Sequence, residues 1–569
     1  MDWQRTLLGG GILVILLLLL GEWNTFQAER QADKPALSAS APTLPGALST
    51  TPATITAETN SDIPQVETEE VEIPEPVVIN RQLVTVSTNT LEVTIDTLGG
   101  DIVRVALPQH NAKLMDKGEK GESFVLLNRV EDAVTGEQFT YVAQSGIIGK
   151  NATDKANGER PTFSVEQSHF DMTDNQDTLE VKLSLIEGST TIVKTFSFTR
   201  DSYLIDVNYI VNNNGNETWK GNFYGQIKRD SSLVPIEGGA MGMAPFLGAA
   251  LTTSEERYKK TDFADLAEDG PIKEKVQGGW LALVQHYFIS AWVPNADQTH
   301  NYTIKSRSNS EGYTINLLTF TSPAVTIEPS AQGRLSARFY VGPKDVKTLE
   351  DIAEYLDLTV DYGWLWWVAK PLFLFLSFIQ NMVSNWGLSI ILLTVCIKLV
   401  FFPLSAASYK SMAKMRKLQP KLMSLKDQYG DDRQRMSQEL MKMYQKEKVN
   451  PMGGCLPILV QMPVFIALYW VLMEAVELRH TPFLYLADLS VKDPYFILPI
   501  IMGATMIFQQ RLNPVPPDPT QAAIMKWMPV AFTFFFLWFP SGLVVYWVVN
   551  NVLSIAQQWY ITKKIEAQG

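Results

Sequence analysis

Cysteine is scarce in this chain of 569 residues, which contains only Cys396 and Cys455. Both lie at or within apolar runs of the C-terminal part, so no disulfide framework can hold the large polar region together. Histidine is also scarce, with five scattered residues, and the sequence contains no HExxH motif and no cysteine–histidine cluster. We therefore predict no metal site and no cofactor.

Two further absences exclude whole classes of activity. The sequence contains no G-x-x-x-x-G-K-[ST] phosphate-binding loop, so nothing indicates nucleotide hydrolysis. The net charge of -12 argues against nucleic-acid binding as the main role, and we expect no DNA partner. No paired His/Glu constellation stands out either, and we expect that the protein is not an enzyme.

The N-terminal part begins with a short apolar run, residues 7–20, after Arg5. No small-x-small cleavage site follows this run, and Trp23 suits a membrane interface. We predict that residues 1–27 are a retained signal anchor with a cytoplasmic N-terminus. Residues 28–80 are rich in Pro, Ser, Thr, Ala and acidic residues, a composition that predicts a disordered linker.

Alternating apolar and polar residues mark the next region as a β domain. Leu91, Val93 and Ile95 alternate with polar residues, and similar runs occur at 179–185 and 203–211. Such runs, separated by Gly and Asn turns, predict an antiparallel β-sandwich. Its predicted range is 81–358, including a helix at 346–358. Residues 229–278 fit the pattern poorly and predict a long irregular excursion.

The distribution of charge predicts the orientation in a membrane. The segment 405–450 carries eleven basic and five acidic residues, and positive loops stay in the cytoplasm. If the N-terminus is also inside, an even number of crossings must separate the two. The interrupted aromatic segment at 359–385 could span a bilayer or lie along it. This parity favours an interfacial amphipathic helix on the outer face.

The C-terminal part predicts an α-helical polytopic core, so that the whole chain is a multi-domain membrane protein. Several of its apolar runs are near or below the roughly 20 residues of a standard spanning helix, which favours a thinned bilayer. A cytoplasmic tail is predicted at 562–569. The six predicted transmembrane helices are 1–27, 386–404, 453–474, 494–511, 524–540 and 543–561.

Lys398 is the most informative residue of this core, because it lies within the apolar run 388–404. A cation at membrane depth is costly and usually faces a protein interior or a wet cavity. Thr394 lies one turn earlier and shares its face. Together they indicate a polar pocket in the inner leaflet. The alternative is that the long side chain snorkels to the headgroups.

The basic segment, 405–452, is predicted to form a cytoplasmic helical hairpin. Methionine and leucine recur at helical spacing, including Met412 and Met415, and a turn follows at 430–432. The methionine stripe is either the contact between the two helices, which we favour, or an adaptable binding surface. The hairpin residues expected to make contacts are Met412, Met415, Lys414, Arg416 and Lys417.

Five motifs resemble those of the YidC/Oxa/Alb family of membrane protein insertases. The resemblance covers roughly the last 200 residues closely. It also implies that the linker and the β domain are periplasmic and that the periplasmic antiparallel β-sandwich is supersandwich-like, because an anchor and a large periplasmic β domain are typical of the Gram-negative form. The motifs are Asn450-Pro451-Met452-Gly453-Gly454-Cys455-Leu456-Pro457 with its continuation to Phe465, Met412-Ala413-Lys414-Met415, Leu418-Gln419-Pro420-Lys421, Asn385-Trp386-Gly387, and Phe535 to Leu543.

The resemblance implies that the protein inserts and folds inner-membrane proteins, alone or with the Sec translocon. It also implies a hydrophilic groove open to the cytoplasm and to lipid, in which Lys398 matches the position of a conserved cation of the family, an arginine in many relatives. The expected groove residues are Lys398, Thr394, Gln461, Gln509, Tyr546, Asn550 and Ser554. The expected client slide consists of Met462, Pro463, Phe465, Phe532 and Phe536.

The implied partners are nascent membrane proteins, the Sec translocon, membrane lipids and the ribosome, the last through the hairpin. A solute transporter or a sugar-binding periplasmic module is the runner-up. The sequence shows no convincing internal repeat, and Lys398 has no obvious acidic partner within the apolar runs, which disfavours a transporter. A fold alone does not establish sugar binding.

Overall fold

A computed structural model of the chain describes residues 81–114, 121–131, 138–149, 152–155, 158–231, 245–308, 314–429, 432–447, 456–513 and 519–567. The predicted anchor (1–27), the predicted linker (28–80) and the motif residues 450–455 lie outside the described residues.

Nineteen strands and two short helices make up the described β domain. The helices are α1 (Phe263–Asp269) and α2 (Val346–Ile352). The strands are β1 (Leu83–Ser87), β2 (Glu92–Asp96), β3 (Asp101–Asn111), β4 (Ser123–Glu131), β5 (Gln138–Ile148), β6 (Ser164–Val165), β7 (His169–Asp171), β8 (Thr178–Glu187), β9 (Thr190–Thr199), β10 (Leu204–Asn213), β11 (Trp219–Asp230), β12 (Gly248–Leu251), β13 (Lys259–Thr261), β14 (Ile272–Gln277), β15 (Leu281–Val284), β16 (Phe288–Pro294), β17 (Thr299–Ser308), β18 (Thr314–Ile327) and β19 (Ala331–Pro343).

The strands form two sheets, which confirms the predicted antiparallel β-sandwich. The ten-stranded sheet has the order β14-β17-β18-β11-β5-β4-β3-β2-β1-β7, and the nine-stranded sheet has the order β13-β12-β15-β16-β19-β10-β9-β8-β6. Among the described strands, only β1 and β7 pair in parallel. In the middle of the second sheet, Val207 lies opposite Phe196 and Ala337.

The core of the sandwich follows from the alternation seen in the sequence. In β10 the alternate residues Ile205, Val207, Tyr209 and Val211 are fully buried, while the residues between them are half-buried. A strand with period-two polarity buries one face only, so two such sheets bury their apolar faces against each other. The predicted strands at 179–185 and 203–211 are confirmed as parts of β8 and β10.

Two expectations for this domain were wrong. Residues 229–278 are not one irregular excursion, because β12, β13, α1 and β14 lie between 248 and 277. All four residues of β12 are buried, and a strand covered on both faces has no alternation to detect. The helix expected at 346–358 ends at Ile352, and a separate 3-10 turn, Leu356–Thr359, follows. Tyr355 between them has a left-handed backbone (φ 66°), which a right-handed helix cannot continue through.

A buried charged cluster lies between the two sheets. The Arg160 guanidinium forms ion pairs with Asp154 (2.9 Å) and with Asp101. The Lys194 ammonium is fully buried and donates to the carbonyl oxygens of Gly99, Gly100 and Ser145 at 3.1, 2.7 and 3.1 Å. Burial raises the pKa of the Asp154 carboxyl, and the Arg160 charge opposes that rise. The cluster is a structural network with its charges paired inside the protein.

Eight further helices follow the β domain. Their bounds are α3 (Trp366–Val383), α4 (Trp386–Val400), α5 (Phe402–Tyr429), α6 (Arg433–Lys446), α7 (Leu456–Glu474), α8 (Ile497–Leu512), α9 (Pro519–Phe535) and α10 (Ser541–Ala567) among the described residues.

Several helix bounds differ from the predicted segments. The predicted span 386–404 ends at Val400, and α5 begins at Phe402 after a bend of 67°. Pro403 explains the break, since proline fits the first turn of a new helix but would disrupt a continuous one. The helix predicted within 359–385 begins only at Trp366, after a 3-10 turn at Gly363–Leu365.

The last helices differ in the same way. α9 begins at Pro519 and ends at Phe535, before a 3-10 turn at Phe536–Trp538. α10 continues to Ala567, so it includes most of the predicted tail 562–569.

By length and hydropathy, none of the described helices reaches the size of a membrane span when taken singly. The bent pair Trp386–Val400 and Phe402–Leu425 does so when taken together. Shorter apolar helices occupy Val460–Glu474, Ile497–Leu512 and Ala522–Trp538. The six spans and the cytoplasmic position of the hairpin stay predictions.

One apolar cluster continues from the β domain into the helices. It begins with Trp280 and Tyr340 beside and within the second sheet, includes Leu349 of α2, and extends to Leu376 of α3 and Leu472 of α7. All five side chains are fully buried. The β domain and the helices therefore share a packed interface.

The charged cluster gives the first testable prediction. Replacing Arg160 by methionine removes the counter-charge of two buried carboxylates, and breaking a buried pair costs about 3–5 kcal/mol. We expect the free energy of unfolding of the β domain to fall by this amount. Pulse proteolysis of the full chain over a range of urea concentrations would measure it. The deficit should shrink as the pH falls from about 8 to about 5, because burial raises the pKa of the Asp154 carboxyl, which takes up a proton once Arg160 is absent.

The exposed pair Lys182–Glu180 provides the control for this prediction. Both of its side chains are more than half exposed, and such pairs contribute about 0–1 kcal/mol. Lys182→Met should therefore change the proteolysis profile little at either pH. Equal losses for the two variants would contradict the structural role of Arg160.

Candidate functional site

Lys398 contacts the last helix through a single hydroxyl group. Its ammonium, on α4, donates to Ser554 Oγ of α10 at 2.7 Å. The Ser554 hydroxyl donates in turn to the Asn550 carbonyl oxygen, one turn earlier, at 2.7 Å. Tyr409 of α5 is also within hydrogen-bonding reach of this hydroxyl. One serine therefore joins three helices around a cation.

The charge of Lys398 is not balanced within the described part of the chain. No carboxylate there forms an ion pair with it, and its hydrogen-bond partner is the neutral hydroxyl of Ser554. The Asn550 side chain is buried, and its Oδ1 accepts no hydrogen bond from the described residues. Asn550 therefore carries a side-chain acceptor with no partner among the described residues, one turn before the serine that binds Lys398.

Thr394 lies on the same helix, and its hydroxyl forms its hydrogen bond within that helix. Its side chain is fully buried, and its hydroxyl donates to the Ile390 carbonyl oxygen at 2.6 Å. This is the usual back-bond of threonine within a helix. Thr394 therefore places a polar atom one turn before Lys398 on α4, but its side chain forms no hydrogen bond to another described helix.

A second polar pair lies nearer the N-terminus of α10. Gln461 of α7 donates from Nε2 to the hydroxyl of Tyr546, whose side chain is fully buried. Tyr546 precedes Ser554 by eight residues, so the two pairs are separated by about 12 Å along the helix. Gln509 on α8 is half-buried, and no hydrogen bond joins its side chain to another described residue. The predicted groove residues thus form two clusters, with Gln509 outside both.

The sequence analysis missed three polar residues of this region. Asn551 donates to Thr505 Oγ1 of α8 at 3.1 Å, and Gln558 donates to Asn513 Oδ1 at 3.0 Å. Their spacing of seven residues repeats the helical period and could have revealed them. Tyr409, the third, has no such signal, because only the bend between α4 and α5 brings it to Ser554.

The residues of the predicted client slide divide into exposed and buried ones. Met462 is 40% exposed, and Pro463 is also exposed. Phe465 is half-buried and packs edge-to-face on Trp547, with ring centroids 4.6 Å apart. Phe532 is half-buried and stacks on Trp547 at 6.4 Å.

Phe536 does not lie on a surface, contrary to its assignment to the slide. It is 1% exposed, and its ring centroid is 4.9 Å from that of Phe539 and 5.1 Å from that of Trp547. Phe536 lies four residues after Phe532, so helical spacing places both rings on the side that faces Trp547. The exposed aromatic residues of this segment are Phe534 (64%) and Trp538 (49%).

The predicted hairpin consists of α5 and α6 in the structure. Met412 is buried and Met415 is half-buried, while Lys414, Arg416 and Lys417 are exposed. An ion pair of 2.8 Å between Lys421 of α5 and Glu447, directly after α6, joins the two helices. The buried methionine favours an internal packing role, and the three cations form a basic surface beside it.

Comparisons with known proteins identify the family. Residues 378–568 match the family model described as 60Kd inner membrane protein, and residues 83–375 match the model described as YidC periplasmic domain. The chain is 52% identical over 571 aligned residues to the membrane protein insertase YidC of Cellvibrio japonicus, covering all of this chain and 99% of the relative. It is 50% identical to that of Saccharophagus degradans, with full coverage of both chains.

A solved structure also resembles the chain. It is a crystal structure of an active YidC insertase with the first transmembrane domain resolved, at 18% identity and a TM-score of 0.36. The match covers 84% of this chain and 92% of that one. The two family models together span most of the chain, and the curated relatives match it from end to end. The chain therefore belongs to the YidC family of membrane protein insertases.

Proposed function

We propose that this chain inserts membrane proteins into the inner membrane of a bacterium, through the polar face that α4, α5 and α10 form around Lys398. One observation carries the proposal: the Lys398 ammonium donates a hydrogen bond to Ser554 and has no carboxylate partner among the described residues. A cation without a counter-charge attracts water and the acidic or polar ends of other chains.

The proposed topology places this face in the inner leaflet. The anchor, α4, α7, α8, α9 and α10 cross the membrane, with the β domain in the periplasm and both termini in the cytoplasm. α3 lies along the outer face, where its exposed Trp366, Trp367 and Phe378 suit a membrane interface. The hairpin of α5 and α6 remains in the cytoplasm, consistent with its excess of basic residues.

The physical task of an insertase is to lower the cost of moving polar groups through lipid. A hydrated face that reaches part of the way across shortens the apolar path for the client's polar tail. The client's apolar helix then gains roughly 0.3–0.6 kcal/mol per Leu-type residue on entering lipid. That gain can drive insertion without nucleotide hydrolysis, so the proposed role is not enzymatic.

A lysine at this position limits what the site can recognise. An ammonium group is a compact charge with three donors and lacks the planar fork with which arginine binds a carboxylate through two hydrogen bonds. The site therefore supplies a charge and hydration rather than one rigid pairing geometry. Asn550, with its free buried acceptor, adds a second hydrogen-bonding group for water or for a client.

The proposed client path runs along α7 and α9. Met462 and Pro463 present an exposed apolar surface on α7, and Phe534 does so on α9. Phe465 and Phe532 lie behind them and support the surface through Trp547. Clients are nascent membrane proteins, received alone or from the Sec translocon, with lipid on the open side.

The charge of Lys398 is the first part of the proposal to test. In proteoliposomes, Lys398→Ala should lower insertion of a single-span client at least about tenfold, which corresponds to roughly 1.4 kcal/mol. Lys398→Arg should retain most activity, because it keeps the charge. Lys526→Ala is the matched control, since Lys526 is an exposed cation on α9 outside the polar face. Undiminished insertion by Lys398→Ala would remove the charge from the mechanism.

Hydration of the site gives a separate prediction. A cysteine in place of Lys398, in a chain without Cys396 and Cys455, should react in membranes with a water-soluble maleimide added from the cytoplasmic side, because thiols react as the hydrated thiolate. A cysteine at Leu399, which is 64% exposed on the outer side of α4 and expected to face lipid, should react far more slowly. Equal protection of both thiols would exclude a water-filled groove.

The hairpin is the proposed contact with the ribosome. Reversing two exposed charges, Lys414→Glu with Lys417→Glu, should reduce co-sedimentation with ribosomes by roughly an order of magnitude and weaken its salt dependence, since each cation pairs with RNA phosphate. The same reversal at Lys563 and Lys564 of the C-terminal end serves as the control. If both double variants bind alike, the hairpin charges serve orientation in the membrane rather than ribosome contact.

A further inference from the structure

The end of α7 is held by a buried ion pair with the β domain. Glu474 is the last residue of α7, and its Oε2 accepts from the Lys344 ammonium at 2.6 Å. Lys344 directly follows β19, and its ammonium also donates to the Thr359 carbonyl oxygen at 3.3 Å. The two side chains are 2% and 1% exposed. One cation therefore joins the end of α7, the end of a central strand and the 3-10 turn after α2.

Two more contacts hold the same end of α7. His286 donates from Nε2 to the Met473 carbonyl oxygen at 3.0 Å. Arg479, just beyond the 3-10 turn Val476–Leu478, donates to the carbonyl oxygens of Asn111 and Ala112 at 2.8 and 3.3 Å. These contacts come from both sheets, since Asn111 ends β3 and His286 lies between β15 and β16.

The Arg479 guanidinium also packs on aromatic rings of the β domain. It lies 5.3 Å from the ring centroid of Phe124 and 5.7 Å from that of Phe288. Those two rings stack on each other with centroids 4.2 Å apart. Three kinds of contact therefore fix the end of α7 and the chain after it to the β domain. They are the hydrogen bonds of His286 and Arg479, the packing of the Arg479 guanidinium on two aromatic rings, and the ion pair between Lys344 and Glu474.

The other half of α7 carries proposed functional residues. Gln461 bonds to Tyr546 of α10, and Met462 and Phe465 belong to the proposed client path. Thirteen residues separate Gln461 from Glu474, which is about 20 Å along a helix. α7 runs without a break from Gln461 to Glu474, with Pro463 as the one proline in that stretch. A change in the height or rotation of its fixed end therefore moves the segment that carries Gln461 and Met462.

We propose that Lys344 and Glu474 are positioning residues, which couple the β domain to α7 and thereby set the geometry of the client path. This inference rests on the proposed function. A buried ion pair is weak evidence for stabilisation, because an apolar pair of similar volume often stabilises equally well. A directional contact that fixes the register of one element on another is a better attested use of such a pair.

The test combines insertion with a distance measurement in the full chain in proteoliposomes. Nitroxide labels at Met462→Cys on α7 and Phe534→Cys on α9, both exposed positions on different helices, report the relative position of α7. Glu474→Gln should shift or broaden this distance distribution and lower insertion at least about fivefold, the low end of typical coupling between sites. The swapped pair, Lys344→Glu with Glu474→Lys, should restore both readouts substantially.

Lys370→Gln is the matched control. Lys370 also joins a helix to the β domain, through ion pairs with Glu350 (2.5 Å) and Asp357 (2.9 Å), but the helix is α3. The Lys370→Gln variant should therefore leave the distance between the labels on α7 and α9 unchanged. If Glu474→Gln lowers only the melting temperature, with the distance and the insertion per folded molecule as in the native chain, the pair is structural and the inference fails.

The design separates this inference from the proposed function. Normal insertion by Lys398→Ala would overturn the proposed role of the polar face but would leave the distance readout to decide positioning by itself. An unchanged distance in Glu474→Gln would overturn positioning even when Lys398→Ala is inactive.

Discussion

The helical part of this protein depends on how it accommodates one ammonium group among apolar helices. A cation at the centre of a membrane helix costs about 2.5–3.5 kcal/mol on insertion scales. Lys398 meets this cost with the Ser554 hydroxyl, which hydrogen-bonds to the ammonium but brings no negative charge. In the proposed mechanism the charge stays available to water or to a client, and α4, α5 and α10 pack so that one side of it remains polar.

A second buried lysine shows the opposite solution. Lys344 is as buried as its partner Glu474, and its charge is neutralised within 2.6 Å. Removing either partner would leave an uncompensated charge, so this pair fixes the β domain to the end of α7. Lysine therefore has two different environments in this protein. Lys344 forms a neutral ion pair at the end of α7, whereas Lys398 has no counter-charge among the described helices. The presence or absence of a carboxylate makes the difference.

The last helix, α10, organises both clusters of polar residues. Ser554 faces α4, Tyr546 faces α7, and Asn551 and Gln558 face α8. A helix with polar residues on several sides cannot face lipid over that surface without losing hydrogen bonds, so neighbouring helices must surround it. This explains why α10 packs against α4, α5, α7 and α8. It also explains why its polar residues converge on the same region as Lys398.

The sequence by itself determined the two-part architecture, since period-two alternation forces a sheet such as β10 to bury one face and the isolated Lys398 requires a polar neighbour. It also indicated Ser554, Asn550, Gln461 and Tyr546, through helical spacing and the family motifs. Only the tertiary structure decided which polar groups meet. The bend at Pro403 brings Tyr409 to Ser554, and Lys344 reaches Glu474 across 130 residues. Such contacts depend on how elements distant in sequence pack, and local periodicity carries no information about that packing.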